Sequence, residues 1–256
     1  MIIYFTGTGN SLTIARAIKD ATGDNMMHVY EAMKPDVLSR LESEETIGLV
    51  FPAFFFNPPE PVMSLVERVK PKSGAYIYAV VTCGSNPGSS VWDIKTALAK
   101  KGARLSYSRI IPQPDSSAIA FGNDANSQLA KLDASRETVK SVIDDIKVKK
   151  ISLENESKTL LGSIFAVKSL YHLGLKLLKK DVNPSKCIGC GVCARVCSAN
   201  NIKIEGGKAK MGDNCDYCYA CVQWCPSQAI EVRRKTTLSA LQYRNPKAKA
   251  NDIAGK

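Results

Sequence analysis

Histidine is nearly absent. His28 and His172 are the only two in 256 residues, and neither stands in a ligand or triad pattern, so histidine-based metal centres and nucleophile relays are not indicated. No basic leader followed by an apolar run opens the chain, which predicts no secretory signal and, by default, a reducing cytoplasmic setting. No uncharged stretch approaches the ~20 residues of a spanning helix; the most apolar later segment, 158–180, is interrupted by Lys168, His172 and Lys176. Also missing are a Walker Gly-Lys-Ser/Thr and a G-x-G-x-x-G fingerprint, so neither a P-loop nucleotide site nor a built-in nicotinamide site is supported. Cysteine is scarce outside one stretch: Cys83 stands alone, and the other eight fall between Cys187 and Cys225. That clustering excludes a framework of scattered disulfides and points to metal.

What is present is a globular balance, 45% apolar and 23% charged, with a net charge of +11. Up to about residue 150, β-branched and aromatic runs alternate with amphipathic stretches, the rhythm of strand-helix units on a parallel sheet. The pattern predicts strands at Met1–Phe5, Met26–Tyr30, Thr46–Phe51, Ala75–Thr82 and Ala103–Ile110. Helices are expected at Ser11–Ala21, Pro61–Val69 and Ser90–Lys101, with a weaker one at Leu38–Leu41. A better-marked helix carries Leu129, Leu132, Val139, Val142, Ile143 and Ile146 after a cap at Asp124 or Asn126. Residues 155–182 read as a connecting helix with a broad apolar face, suited to bridging two domains, peripheral membrane contact being the alternative. Residues 183–233 change abruptly to Cys, Gly and short apolar runs and form a second domain; 234–256 read as a basic, flexible tail. The first domain spans 1–154.

The second domain contains an internal repeat. Cys187, Cys190, Cys193 and Cys197 are echoed 28 positions later by Cys215, Cys218, Cys221 and Cys225. Each half reads C-x-x-C-x-x-C-x-x-x-C and the second continues into Pro226, the bacterial run for 4Fe-4S clusters in which the fourth cysteine ligates the other cluster. One cluster then takes Cys187, Cys190, Cys193 and Cys225, and the other Cys215, Cys218, Cys221 and Cys197. Over about fifty residues the sequence resembles a two-cluster bacterial-type ferredoxin. Ser198 departs from that pattern, standing where the family usually has Pro; no ligand is lost. Zinc is the alternative for cysteine-rich loops, and clusters also hold together a segment too short to bury much core.

Between the first strand and its helix lies Thr6-Gly7-Thr8-Gly9-Asn10-Ser11. Two glycines let the backbone turn sharply, and amides, hydroxyls and the helix N-terminus can then cage an anion without any lysine. This element resembles the FMN phosphate loop of flavodoxins, and the resemblance covers about residues 1–150. It implies an α/β, flavodoxin-like, doubly wound five-stranded parallel sheet of order 2-1-3-4-5, followed here by a small α+β ferredoxin domain. It also implies FMN at the switch point, its ring between the loop after strand three (Pro52, Ala53, Phe54, Phe55, Phe56) and the loop after strand four (Thr82, Cys83, Gly84). Which phenylalanine stacks on the ring is left open. Cys83 reads as a space filler.

Residues 183–256 hold 12 Lys and Arg against 5 Asp and Glu, so the basic excess lies where the clusters would be. Two clusters and an FMN phosphate at about −2 each would bring the assembly to roughly +5. No base-reading motif accompanies the basic tail, so nucleic acid is not indicated. The whole resembles flavodoxin-ferredoxin fusion proteins. That implies electron transfer between FMN and two 4Fe-4S clusters, with ferredoxin- or flavodoxin-type redox proteins as donors or acceptors. The alternatives are a flavin-dependent reductase of a small acceptor fed through the clusters, and a redox sensor binding nucleic acid or protein through the tail.

Overall fold

The computed structural model describes residues 1–116, 125–160, 162–163, 179–232 and 242–255. The cap read at Asp124 or Asn126 and most of the connector read at 155–182 lie outside the described residues or side chains.

Five strands, β1 (Ile2–Tyr4), β2 (Met26–His28), β3 (Thr46–Pro52), β4 (Tyr76–Cys83) and β5 (Leu105–Pro112), form an all-parallel sheet of order β2-β1-β3-β4-β5. This is the doubly wound, flavodoxin-like order, with its switch point beside β1. All eight residues of β4 are buried, as a strand covered on both faces requires. Alternate side chains feed two cores. On one face Phe5, Leu49, Phe51 and Val81 meet α4 (Glu60–Arg68) and α5 (Ser90–Ala99); on the other Tyr4, Val50 and Val80 meet α1 (Asn10–Thr22) and the long helix Ala125–Lys147, called α6. Gly48 on β3 makes room for the ring of Tyr78 on the neighbouring strand, which a Cβ would overlap.

Two short helices, α2 (Val29–Ala32) and α3 (Pro35–Leu41), follow β2. The second strand therefore stops at His28 rather than running to Tyr30. The Tyr30 amide donates to His28 Nδ1 at 3.3 Å, a side-chain cap that starts a helical turn where β-branched Val29 had suggested extended chain.

The second unit pairs β6 (Lys180–Val182) antiparallel with β9 (Ile230–Val232), and β7 (Ile202–Glu205) with β8 (Lys208–Met211). Thus the end of the segment read as a connector is a strand of this unit. The cysteine repeat reappears in space: α7 (Val192–Arg195) and α8 (Ala220–Gln223) each carry the third cysteine of their run, Cys193 and Cys221.

Over residues 242–255 the flexible-tail expectation is corrected. Tyr243, Asn245, Ile253 and Ala254 are buried. The Tyr243 amide donates to Gln223 Oε1 at 2.7 Å, the Asn245 amide donates to the Thr8 carbonyl at 2.9 Å, and Arg16 pairs with Asp252 at 3.2 Å. Arg244 lies over the Trp224 ring at 5.8 Å. The segment is held by single anchors and hydrogen bonds rather than an amphipathic stripe, so periodicity has nothing to detect.

Candidate functional site

The loops at the carboxyl ends of β1, β3 and β4 meet at the switch point. In the first, Gly9 adopts φ 98° ahead of α1, its amide donates to Thr6 Oγ1 at 3.0 Å, and Ser11 Oγ lies 2.9 Å from Thr82 Oγ1. Two loop carbonyls are drawn outward: Trp224 Nε1–H donates to Gly7 O at 3.0 Å and the Asn245 amide to Thr8 O. Because a trans peptide sets N–H opposite C=O, the Thr8 amide faces away from Trp224. Asn10 is fixed by its own donation to the Pro114 carbonyl at 3.0 Å and by Tyr243 Oη–H and Asn245 Nδ2–H donating to its Oδ1 at 2.7 and 3.0 Å. Thr6, Gly7, Thr8, Asn10 and Ser11 line a cavity with Pro52, Ala53, Phe54, Thr82, Cys83 and Gly84. Among the described residues no lysine or arginine lines it, so an anion there would be held by amides, hydroxyls and the helix N-terminus.

A second cavity adjoins it, with about 960 Å³ of empty space including its mouth, lined by Phe54, Phe55, Phe56, Cys83 and Gly84. Phe54 is buried and packs edge-on against Phe5 with centroids 6.0 Å apart, whereas Phe55 and Phe56 are half-buried. Phe54 and Asn57 exchange backbone hydrogen bonds at 2.8 and 3.0 Å, so Phe55 and Phe56, at φ 50° and 65°, occupy the centre of a two-residue turn. Burial, with Asp115 nearby, pushes the Cys83 thiol up to about 12, so it stays protonated at neutral pH, in keeping with a space filler.

Two residues lining this cavity come from the other domain and escaped sequence reasoning: Tyr217 and Tyr219, within the Cys215–Cys221 run. They too have positive φ, 55° and 58°. Four aromatic residues in the left-handed region thus surround one cavity, a concentration of backbone strain typical of functional sites. Tyr219 Oη is buried and has no hydrogen-bond partner among the described residues. An unanswered donor beside a half-aromatic cavity suits a flat, polar-edged heterocycle. Gln113, Asp115 and Ser116 also line the first cavity and carried no motif by which to find them.

The cysteines are all free. Cys187, Cys190, Cys193 and Cys225 line one cavity. In the other group burial raises the Cys197 thiol, with Cys215 contributing, and the Cys218 thiol, with Cys221 and Cys215 contributing. Backbone amides of Ala209, Asn201, Tyr217 and Ala229 donate to the sulfurs of Cys187, Cys197, Cys215 and Cys225 at 3.3 to 3.4 Å. Among the described residues no three His, Cys, Asp or Glu close around a single-ion site. Burial pushes Cys193 up to about 11 and Cys221 up to about 12, so these thiols are neutral until a metal takes their protons.

Ser198, the residue in place of proline, is buried with its Oγ 3.3 Å from His28 Nε2. Since His28 Nδ1 accepts from Tyr30, the hydrogen-bond network assigns the proton to Nε2, which donates to Ser198 across the domain boundary. Ser198→Ala removes that bond and is expected to lower stability by about 0.5–1.5 kcal/mol, read as an earlier urea midpoint with iron content unchanged.

Residues 179–226 match the family described as 4Fe-4S dicluster domain. A 56-residue stretch is 34% identical to a ferredoxin of Methanothermococcus thermolithotrophicus and spans 93% of it. The chain is a flavodoxin-like domain fused to a ferredoxin. The fusion protein is also 39% identical over 64 residues to the pyruvate synthase subunit PorD of Thermotoga maritima, spanning 64% of that subunit and 24% of this chain. The two-electron reduced flavodoxin of Megasphaera elsdenii aligns with 43% of the fusion protein and 82% of its own length, at 23% identity and a TM-score of 0.36. The dicluster match makes the C-terminal unit a 4Fe-4S ferredoxin-type domain, and the chain spans less than two thirds of the Thermotoga subunit. No helix among the described residues is long and apolar enough to cross a membrane.

Proposed function

We propose that the fusion protein passes electrons between FMN in its flavodoxin-like domain and two 4Fe-4S clusters in its ferredoxin domain. The carrying observation is the shared wall: Tyr217 and Tyr219, from the run that holds Cys215, Cys218 and Cys221, line the cavity of Phe55 and Phe56. Thr6, Thr8, Asn10 and Ser11 would hold the phosphate, Phe55 and Phe56 the ring, and the two cysteine sets the clusters. When bound, a cluster exchanges one electron and a flavin one or two, so the pair joins one-electron carriers to two-electron chemistry. The chain contributes position: Cys218 sits against the phosphate loop at Gly7, and aromatic rings line the gap. Redox proteins of ferredoxin or flavodoxin type are the proposed partners.

Anaerobically purified protein is expected to contain about eight irons, about eight acid-labile sulfides and one FMN per chain. In stopped-flow reduction the iron-sulfur and flavin bands should bleach in sequence. Zinc in place of iron, or no flavin, overturns the reading. Exposed Ser85 and Asn86 at the cavity mouth favour a second reading, reduction of a small acceptor beside the ring, which turnover with a quinone would reveal. A nucleic-acid arm is disfavoured over 242–255, which is docked on its own chain.

A further inference from the structure

We propose that Lys180 raises the electron affinity of the cluster site formed by Cys197, Cys215, Cys218 and Cys221 above that of the other site, so that an electron entering the ferredoxin domain settles beside the flavin cavity. The inference rests on the two-cluster reading and assigns its direction of flow.

Lys180 opens β6, where pairing with Val232 fixes its backbone. The residue is only 6% exposed, and its Nζ has no hydrogen-bond partner among the described residues. Instead the ammonium lies over two aromatic faces, 4.3 Å from the centroid of Tyr217 and 4.9 Å from that of Tyr219. The same two residues line the flavin cavity. A buried cation without a hydrogen-bonded carboxylate is expensive to keep, and a cation over aromatic faces recovers only part of that cost. Its negative neighbours are the Asp216 carboxylate and, once a cluster is held, the thiolates of Cys215, Cys218 and Cys221. The nearby Asp216 carboxylate is engaged by Tyr30 Oη–H at 2.9 Å. Lys180 is therefore a fixed positive charge facing one cysteine set.

Among the described residues the other set has no enclosed cation beside it. Cys190 and Ile188 are exposed there, Ile188 to 68%. Beside Cys187 stands Lys208, whose ammonium donates to the Cys187 carbonyl but belongs to an exposed side chain. Solvent and salt screen Lys208, whereas a charge enclosed with the sulfurs acts through a medium of low polarity. Reduction adds one negative charge to a cluster, so the enclosed cation favours the reduced form on its own side. One electron, supplied from outside by a low-potential one-electron carrier, then passes from the exposed site to the enclosed one. The first is oxidised and the second reduced, with no bond or proton changed.

The test is a redox titration of the anaerobic full-length protein followed by electron paramagnetic resonance, comparing wild type with Lys180→Met and Lys180→Arg after counting iron and sulfide in each. Lys180→Met keeps the stem and removes the charge. It is expected to lower one cluster's one-electron equilibrium constant at least tenfold, about 59 mV, with the other cluster unmoved; Lys180→Arg is expected to keep both near wild type. Unchanged potentials in Lys180→Met with both clusters loaded, or an equal shift of both, overturn the proposal. Should Lys180→Met not load both clusters, the wild type decides alone. Its two potentials must differ at least tenfold in equilibrium constant, the higher belonging to the cluster whose reduction perturbs the flavin absorption bands. Equal potentials, or the reverse order, overturn it. A wild type without two clusters defeats the functional reading itself, which the iron count separates from failure of the Lys180 role.

Discussion

Gly7→Ala is expected to slow electron exchange between the two halves by about five- to 150-fold while leaving the iron and sulfide content unchanged. A Cβ on Gly7 would overlap the carbonyl oxygen of Cys218, and it would stand 3.3 Å from the carbonyl carbon and 3.5 Å from the Cys218 Cβ. The obstacle is backbone, so no rotamer change relieves it. Neither side yields easily: the Gly7 carbonyl is held by Trp224 and the Gly9 amide by Thr6, while Cys218 stands between two other cysteines of its run. Overpacking of this kind costs about 1–3 kcal/mol, and each 1.4 kcal/mol is about a factor of ten in the ratio of docked to separated arrangements. Trp224→Phe, which loses only the bond to Gly7, is expected to show a smaller effect of about 1 kcal/mol. Stopped-flow reduction, with the two chromophores followed separately, makes the comparison. A Gly7→Ala protein as fast as wild type would show that the shared wall is not the route.

The residues found at this wall divide by how far they reach. Strand positions along β1, β3, β4 and β5 were legible because burial on a sheet imposes alternation over a few neighbouring residues. The Thr6–Ser11 loop and the cysteine runs were legible because close spacing is itself the signal. Val29 and Tyr30 were misread because a cap from His28 overrode their β propensity. Tyr217, Tyr219 and Lys180 gave no sign, since each acts on residues far along the chain and through one side chain. Tyr243 and Asn245 illustrate the same point most sharply. They bond Asn10 across 233 and 235 positions, and they lie in a basic, aperiodic stretch whose composition suggests solvent. Ser198 was visible as a departure from pattern, but its meaning required His28, which is 170 positions away.

The turn of Phe55 and Phe56 is expected to show stability and binding moving apart. A two-residue turn with both central residues at positive φ is the place for Asn-Gly, and an L-residue there costs about 1–2 kcal/mol. Glycine at both positions relieves that strain. It also adds freedom to the unfolded chain, about 0.5–1 kcal/mol for each glycine, and removes the partial packing of Phe55 on the core. These terms nearly cancel, so the double variant Phe55→Gly, Phe56→Gly is expected to unfold, in the flavin-free state, within about 1 kcal/mol of wild type. Flavin affinity is expected to fall about a hundredfold, because two aromatic faces at about 0.5–1.5 kcal/mol each, with the area they cover, are lost from the ring cavity. Urea denaturation of the flavin-free protein and fluorescence titration with FMN give the two numbers. A loss of several kcal/mol in stability with FMN affinity intact would make the turn a structural feature and move the ring elsewhere. The expected opposite pattern would show why strain persists there: the turn keeps two rings in a conformation that folding alone does not favour, and binding recovers the cost.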